Sequence, residues 1–162
     1  MQNFVASTRQ EQPYCKMIHS FQIQKDRDGL ILLSEQLQII SKKWHLPKKE
    51  ILQLNLILDE LISNIIAHGG GCTTCPIEIT MTKTTHEFNV QLSDGGPAFD
   101  PTQHKLTDTT LPIDKRECGG LGILFIRKFS DCCSYKRIDG KNIFNFTKKY
   151  QESTDCQTSV KK

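Results

Sequence analysis

Two polar side chains stand out in an otherwise apolar stretch of the sequence, residues 56–71 (LILDELISNIIAHGGG). If this stretch is helical, Glu60 and Asn64 lie one turn apart in the same row of side chains, and His68 follows a turn later. The neighbouring rows are wholly apolar, so the helix must be buried along a broad stripe. Burial there would remove water from the Glu60 carboxylate and the Asn64 amide, and a bound cation would offset that cost. On this segment alone, a solvated polar edge of an amphipathic helix is the favoured interpretation, and the rest of the chain must decide between the two.

A second motif, Asp94-x-Gly96, stands at the end of a segment in which apolar and polar residues alternate. The Asp94 carboxylate can accept a hydrogen bond from an exocyclic amine, and Gly96 has no side chain to keep a flat ring away from the backbone. Taken alone, the sequence DGG is also a common turn. The motif therefore indicates a base-binding position only if other residues supply the rest of a nucleotide site.

A third motif supplies the missing anion site. Gly119, Gly120 and Gly122 come directly before and within the start of an apolar helical run. Bare backbone N–H groups and the positive end of a helix dipole favour a phosphate there, although a flexible hinge is the plainer explanation. The three motifs together predict a nucleotide pocket, with the base at Asp94, the phosphates at the glycines and Mg²⁺ at Asn64.

The composition is that of one ordinary globular domain. The 162 residues are 37% hydrophobic and 24% charged, and the net charge of +3 is spread along the chain. Scattered basic residues favour neither nucleic acid nor an anionic membrane as a partner. No apolar run approaches the ~20 residues that cross a bilayer, and the N-terminal segment lacks the apolar core of a signal peptide. We therefore expect a cytoplasmic protein.

The seven cysteines do not form a recognisable framework. Their number is odd, and Cys72-x-x-Cys75 is a lone pair where a structural zinc site needs four ligands. We expect reduced thiols, as is usual in the cytosol.

The hydropathy pattern indicates the elements that must position these motifs. It predicts a strand, two helices, a hairpin, a further helix and a second hairpin, at residues 14–24, 28–44, 47–68, 77–92, 123–130 and 134–148. Asp26 or Asp28 can cap the first helix. The expected fold is α+β, a mostly antiparallel sheet of about five strands covered on one face by about three helices.

The same pattern divides the chain into regions. Residues 13–150 form the domain, with a loose arm at 1–12 and a disordered tail at 151–162. Residues 102–117 have no clear period and stand between two pocket motifs, where a lid over the site is expected.

Three segments resemble the nucleotide-binding boxes of the GHKL ATPase superfamily, which includes gyrase and the histidine kinases. They are LILDELISNIIAHG, LSDGGPAFDP and GGLGILFIRKFSD, and the resemblance continues through DGKN.F.FTKK to cover roughly residues 21–150. The pattern is most similar to the serine-kinase branch that contains bacterial anti-sigma factors. This resemblance implies a Bergerat-type two-layer sandwich that uses ATP and Mg²⁺.

The resemblance also implies a role for each motif residue. Glu60 would be the general base that takes or orients the proton of a Ser or Thr hydroxyl. Asn64 would bind the Mg²⁺ that bridges the ATP phosphates. Asp94 would recognise adenine N6, with Gly96 shaping the pocket floor. The phosphates would be wrapped, as the lid closes, by Gly119, Gly120 and Gly122.

The function implied is an ATP-dependent serine/threonine protein kinase that acts as an anti-sigma factor in a partner-switching system. Its substrate would be a STAS-type anti-anti-sigma protein, with a sigma factor as a further partner, and it would be a homodimer. No phosphoacceptor-histidine domain or gyrase-type transducer domain is found in the sequence, which argues against those branches. The alternative is a non-catalytic, ATP-gated binding module, and the presence of Glu60 favours the kinase because a pure binder needs no base.

Overall fold

The computed structural model describes residues 16–68, 75–103 and 121–150. They form five strands and three helices in the predicted order, which confirms the α+β prediction. The elements are β1 Met17–Ile23, α1 Arg27–Trp44, α2 Lys48–His68, β2 Ile77–Lys83, β3 Glu87–Asp94, α3 Leu121–Phe129, β4 Cys132–Ile138 and β5 Lys141–Lys149. The two terminal segments and residues 104–120, which hold most of the expected lid, lie outside the described residues.

The five strands form one antiparallel sheet in the order β1-β2-β3-β5-β4. Across its middle, Phe21 is in register with Ile79, Ile79 with Leu92, and Leu92 with Phe144. Since side chains alternate between the faces of a sheet, this row and its neighbours two residues away form one apolar face. The helices cover that face, and the opposite face is lined by polar residues such as Thr80, Gln91 and Asn145.

The β4–β5 hairpin turns at the Asp-Gly pair that the sequence singles out. Asp139 and Gly140 have positive φ angles of 48° and 79°. Two consecutive residues in this region are typical of the tight turn whose twist matches antiparallel strands, and Asp-Gly is one of its preferred sequences. The turn sets the register of this hairpin, in which Arg137 of β4 pairs with Asn142 of β5.

Helix α1 begins and ends at residues suited to those positions. Asp26 is the N-cap, and its side chain accepts a hydrogen bond of 2.9 Å from the Gly29 N–H. His45 ends the helix in the left-handed conformation with φ 51°. Between these ends, Leu33, Leu37, Ile40 and Trp44 are buried, as the spacing predicts.

Helix α2 provides the largest apolar surface over the sheet. Its buried residues recur at helical spacing, and all are 5% exposed or less: Leu54, Ile57, Leu58, Leu61 and Ile62. Glu60 and Asn64 lie at the half-buried edge of this stripe, as the sequence indicates. Among the described residues, no helix is long and apolar enough to cross a membrane.

Candidate functional site

The Asp94 side chain is buried at the end of β3, with only 7% of the residue exposed. Its Oδ1 accepts a hydrogen bond of 2.7 Å from the N–H of Gly96, two residues later. Such a bond closes a turn stabilised by the aspartate side chain, so the chain leaves the sheet while the carboxylate stays inside. The Lys25 ammonium is 3.9 Å from the same oxygen and is itself buried. Asp94 and Gly96 therefore form one rigid, acidic corner.

This corner opens onto a cavity of about 110 Å³. Its walls come from α2, from the end of β3 and the segment after it, and from the start of β5. They consist of Asn64, Ile65, Asp94, Pro97, Ala98, Phe99 and Asn142. Four of these residues are apolar, and the remaining three carry a carboxylate or an amide. An apolar slot with a few convergent polar groups is typical of small-molecule sites, and an acidic acceptor at its inner end suits a flat heteroaromatic ring that carries an amine.

Asn64 and Asp94, two residues of the predicted site, are 30 positions apart in the sequence, and the structure places both in the wall of this cavity. Glu60 is half-buried one turn before Asn64 on α2 and does not line the cavity. The role of Glu60 therefore stays a prediction.

Most of the predicted phosphate site lies outside the described residues. Gly122 lies in the first turn of α3, whereas Gly119 and Gly120 lie outside the described residues. The assignment of these three glycines to the phosphates therefore stays a prediction.

The sequence analysis missed three residues that adjoin the acidic corner. The Asn142 amide nitrogen is 3.2 Å from Asp94 Oδ2 and donates a 2.8 Å hydrogen bond to the Pro97 carbonyl. The Asn142 oxygen accepts from Tyr135 at 2.8 Å and from Arg137 at 2.7 Å. The sequence does contain a signal for Asn142. It lies on the same face of β5 as the buried Phe144 and Phe146. A polar residue on a buried face needs hydrogen-bond partners, so its presence indicates a specific contact.

The Asn64 oxygen in the cavity wall would fit a magnesium ion that is bound mainly by nucleotide phosphates. Among the described residues, no group of three or more His, Cys, Asp or Glu side chains could hold a metal ion. Mg²⁺ commonly keeps several waters and is bound by one or two protein oxygens together with substrate phosphates. The Asn64 amide oxygen at the cavity wall would suffice for that arrangement.

One expectation about the cysteines is wrong. Cys75 is disulfide-bonded, whereas Cys132 and Cys133 are free thiols. Sequence spacing does not reveal which thiols the fold brings together, and this is why the bond was not predicted. A side chain added at Gly95 would lie 4.0 Å from Cys75 Sγ, so this residue packs beside the acidic corner. Burial, followed by the neighbouring Cys132, raises the pKa of the Cys133 thiol, which makes it a weak nucleophile.

The sequence matches the family model described as histidine kinase-like ATPase domain over residues 25–148. The chain therefore belongs to the histidine kinase-like ATPase family. The match contains the described cavity and every residue of the predicted site, and β1 lies just before it.

Within this family the chain is similar to the serine/threonine-protein kinase BtrW of Bordetella bronchiseptica. The two are 33% identical over 95 residues, which are 58% of this chain and 67% of that protein. A chain from the crystal structure of the SiaB–SiaC complex of Pseudomonas aeruginosa has a similar fold. That comparison has a TM-score of 0.53 and 15% identity, and it covers 82% of this chain and 89% of the other.

Proposed function

We infer that this chain is an ATP- and Mg²⁺-dependent protein serine/threonine kinase that phosphorylates a small regulatory protein. The observation that carries this proposal is the cavity lined by Asn64, Asp94, Asn142 and four apolar side chains. The Asp94 carboxylate on β3 would bind the base, and the Asn64 amide on α2 would hold the magnesium ion and the phosphates. The similarity to a serine/threonine-protein kinase supports transfer to a hydroxyl group.

In this mechanism each residue acts through a simple contact. Asp94 accepts a hydrogen bond from the adenine 6-amino group, and Ile65, Pro97 and Phe99 exclude water from the ring. Bound Mg²⁺ would neutralise the charge that develops on the phosphates. The Asn64 amide oxygen would be its protein ligand.

Glu60 would act on the substrate hydroxyl. As the bond from the Ser or Thr oxygen to the γ-phosphorus forms and the bond to the β-phosphate oxygen breaks, the hydroxyl proton passes to the Glu60 carboxylate. Gly119, Gly120 and Gly122 would bind the phosphates through their backbone N–H groups. Positioning and charge neutralisation supply most of the catalysis in phosphoryl transfer, so this sparse set of polar residues is sufficient.

The partner we propose is a STAS-type anti-anti-sigma protein, with a sigma factor bound when that partner is phosphorylated. The chain would act in the cytoplasm as a homodimer. The structurally similar chain comes from a two-protein complex, which supports a protein partner for this fold.

A non-catalytic module that binds ATP to switch a protein interface would use the same cavity. The half-buried Glu60 one turn from Asn64 favours the kinase, because binding alone requires no carboxylate at that position.

Transfer of labelled γ-phosphate to a purified STAS-type protein encoded near this gene tests the proposal. Glu60→Gln should lower the transfer rate by about 10²–10⁴-fold, the usual contribution of a general base, while ATP affinity stays close to that of the unmodified protein. Glu35→Gln, an exposed position on α1, is the matched control. If the unmodified protein binds ATP with Mg²⁺ but labels no such partner, the binding module is the correct function.

A further inference from the structure

All hydrogen-bonding positions of the Asn142 amide are occupied. Its nitrogen lies 3.4 and 3.2 Å from the two Asp94 carboxylate oxygens and 2.8 Å from the Pro97 carbonyl. Its oxygen receives hydrogen bonds from Tyr135 and Arg137. A buried amide with every donor and acceptor used has one orientation.

The arginine decides which orientation that is. A guanidinium group only donates hydrogen bonds, so the Asn142 oxygen must face Arg137. The NH₂ group must then face Asp94. Arg137 also donates to the Gly96 carbonyl at 3.1 Å, which ties the turn after β3 to β4 and β5. Asp94 thus accepts hydrogen bonds from the Gly96 backbone and the Asn142 side chain, and the Lys25 ammonium lies 3.9 Å from its Oδ1.

The Oδ2 atom of Asp94 is the acceptor that concerns a ligand in the cavity. Asn142 donates one hydrogen bond to Oδ2, and a carboxylate oxygen accepts two. Since both Asp94 and Asn142 line the cavity, a ligand bound there can approach this carboxylate. A ligand that offers an N–H group there completes the set. A ligand that offers a carbonyl oxygen places two acceptors against each other and loses a hydrogen bond on each side.

We propose that Asn142, oriented by Tyr135 and Arg137, is a positioning residue that makes this site select a 6-aminopurine over a 6-oxopurine nucleotide. The inference rests on the proposed nucleotide site and adds the residues that set its base specificity. Asn142 acts through Asp94, whose carboxylate it holds in place. Arg137 and Tyr135 act one contact further away, by fixing the amide.

ATP and inosine triphosphate are suitable probes because their bases differ at position 6 and in the hydrogen on N1. Competition with a fluorescent ATP analogue in the presence of Mg²⁺ gives both affinities on the full chain. We expect the unmodified protein to prefer ATP by about tenfold or more, the effect of one mismatched buried hydrogen bond. Asn142→Ala should reduce that ratio by at least about fivefold.

The ratio separates a positioning role from a merely structural one. Partial unfolding lowers the apparent affinity for both nucleotides equally and leaves their ratio unchanged. Asn145→Ala is the matched control, since this residue lies on the same strand and bonds to Gln91 on the opposite face of the sheet. Tyr135→Phe removes one donor to the Asn142 oxygen and should also lower the ATP preference. Its control is Tyr150→Phe, because the Tyr150 hydroxyl bonds to the Thr84 carbonyl at the far end of the sheet.

Arg137 provides a second test that does not depend on the buried asparagine. The residue is exposed, so Arg137→Gln is expected to fold. This variant should lower the ATP preference about two- to threefold, and should have no further effect in the Asn142→Ala background, because both changes release the same amide.

The outcomes distinguish this inference from the proposed function. If the protein binds ATP but Asn142→Ala and Arg137→Gln leave the preference unchanged, Asn142 does not set specificity, and the nucleotide site itself stands. If the unmodified protein binds neither nucleotide, the site is wrong and the inference fails with it.

Discussion

At the scale of single residues, the site depends on a carboxylate whose surroundings consist of hydrogen-bond donors. Asp94 is buried, and the Gly96 N–H, the Asn142 amide and the Lys25 ammonium all approach its oxygens. This arrangement requires an acceptor at position 94. An amide of nearly identical shape would present an NH₂ group toward one of these donors or toward the ligand amine.

Replacement of Asp94 by asparagine therefore tests its role in binding the base. Asp94→Asn should weaken ATP binding by about 1–3 kcal/mol, the cost of a buried polar group that faces a mismatched partner. Isothermal titration with MgATP measures it. Asp131→Asn is the control, because Asp131 accepts from the Lys149 N–H at the opposite end of the sheet and should leave affinity unchanged. Equal ATP affinity in both variants would show that Asp94 does not contact the base.

Single residues differ in how much of their position can be inferred from the sequence. Asn64 and Asp94 could be assigned to one candidate cavity because each belongs to a short motif whose chemistry can be read locally, while their roles and that of Gly96 stay predictions. The contribution of Asn142 arises from the pairing of β3 with β5, and a sequence does not state which strands become neighbours.

At the scale of elements, helical and strand periodicity predicted each boundary of the described segments to within a few residues. The first helix is an example, because its apolar spacing fixed the buried face while two aspartates competed for the N-cap. The structure assigns the cap to Asp26, whose side chain accepts from the Gly29 N–H, and places Asp28 in the first turn. Helix α1 in turn covers β1 and α2, so its start affects how the helical layer is anchored to the sheet.

A comparison of the two aspartates tests this assignment. Asp26→Ala should lower the free energy of unfolding by about 0.5–2 kcal/mol because one N–H at the helix start loses its acceptor. Asp28→Ala should cost only about 0.3–1 kcal/mol, its interaction with the helix dipole. Urea denaturation followed by circular dichroism gives both values, with Glu35→Ala as a mid-helix control. A larger loss for Asp28→Ala than for Asp26→Ala would contradict the observed cap.

At the scale of the whole molecule, the cavity lies where both layers of the fold meet. Asn64 and Ile65 come from the helical layer, whereas Asp94 and Asn142 come from two neighbouring strands of the sheet. The fold class was predictable because apolar residues alternate along the strands and recur at helical spacing along the helices, so that each element has one face to bury. The position of the cavity required the packing of α2 over the ends of β3 and β5, which depends on contacts distributed through the entire core.

A ligand held by both layers should stabilise the folded state as a unit. At a MgATP concentration of 100 times the dissociation constant, linkage predicts an increase of about 2.7 kcal/mol in the free energy of unfolding. Urea unfolding with and without MgATP measures it, and Asp94→Asn at the same nucleotide concentration should show a smaller increase because its site is less saturated. Hydrogen exchange adds the spatial test, since amides of α2, β3 and β5 should gain protection together. Protection confined to one layer would show that the nucleotide binds elsewhere than in the cavity between Asn64 and Asp94.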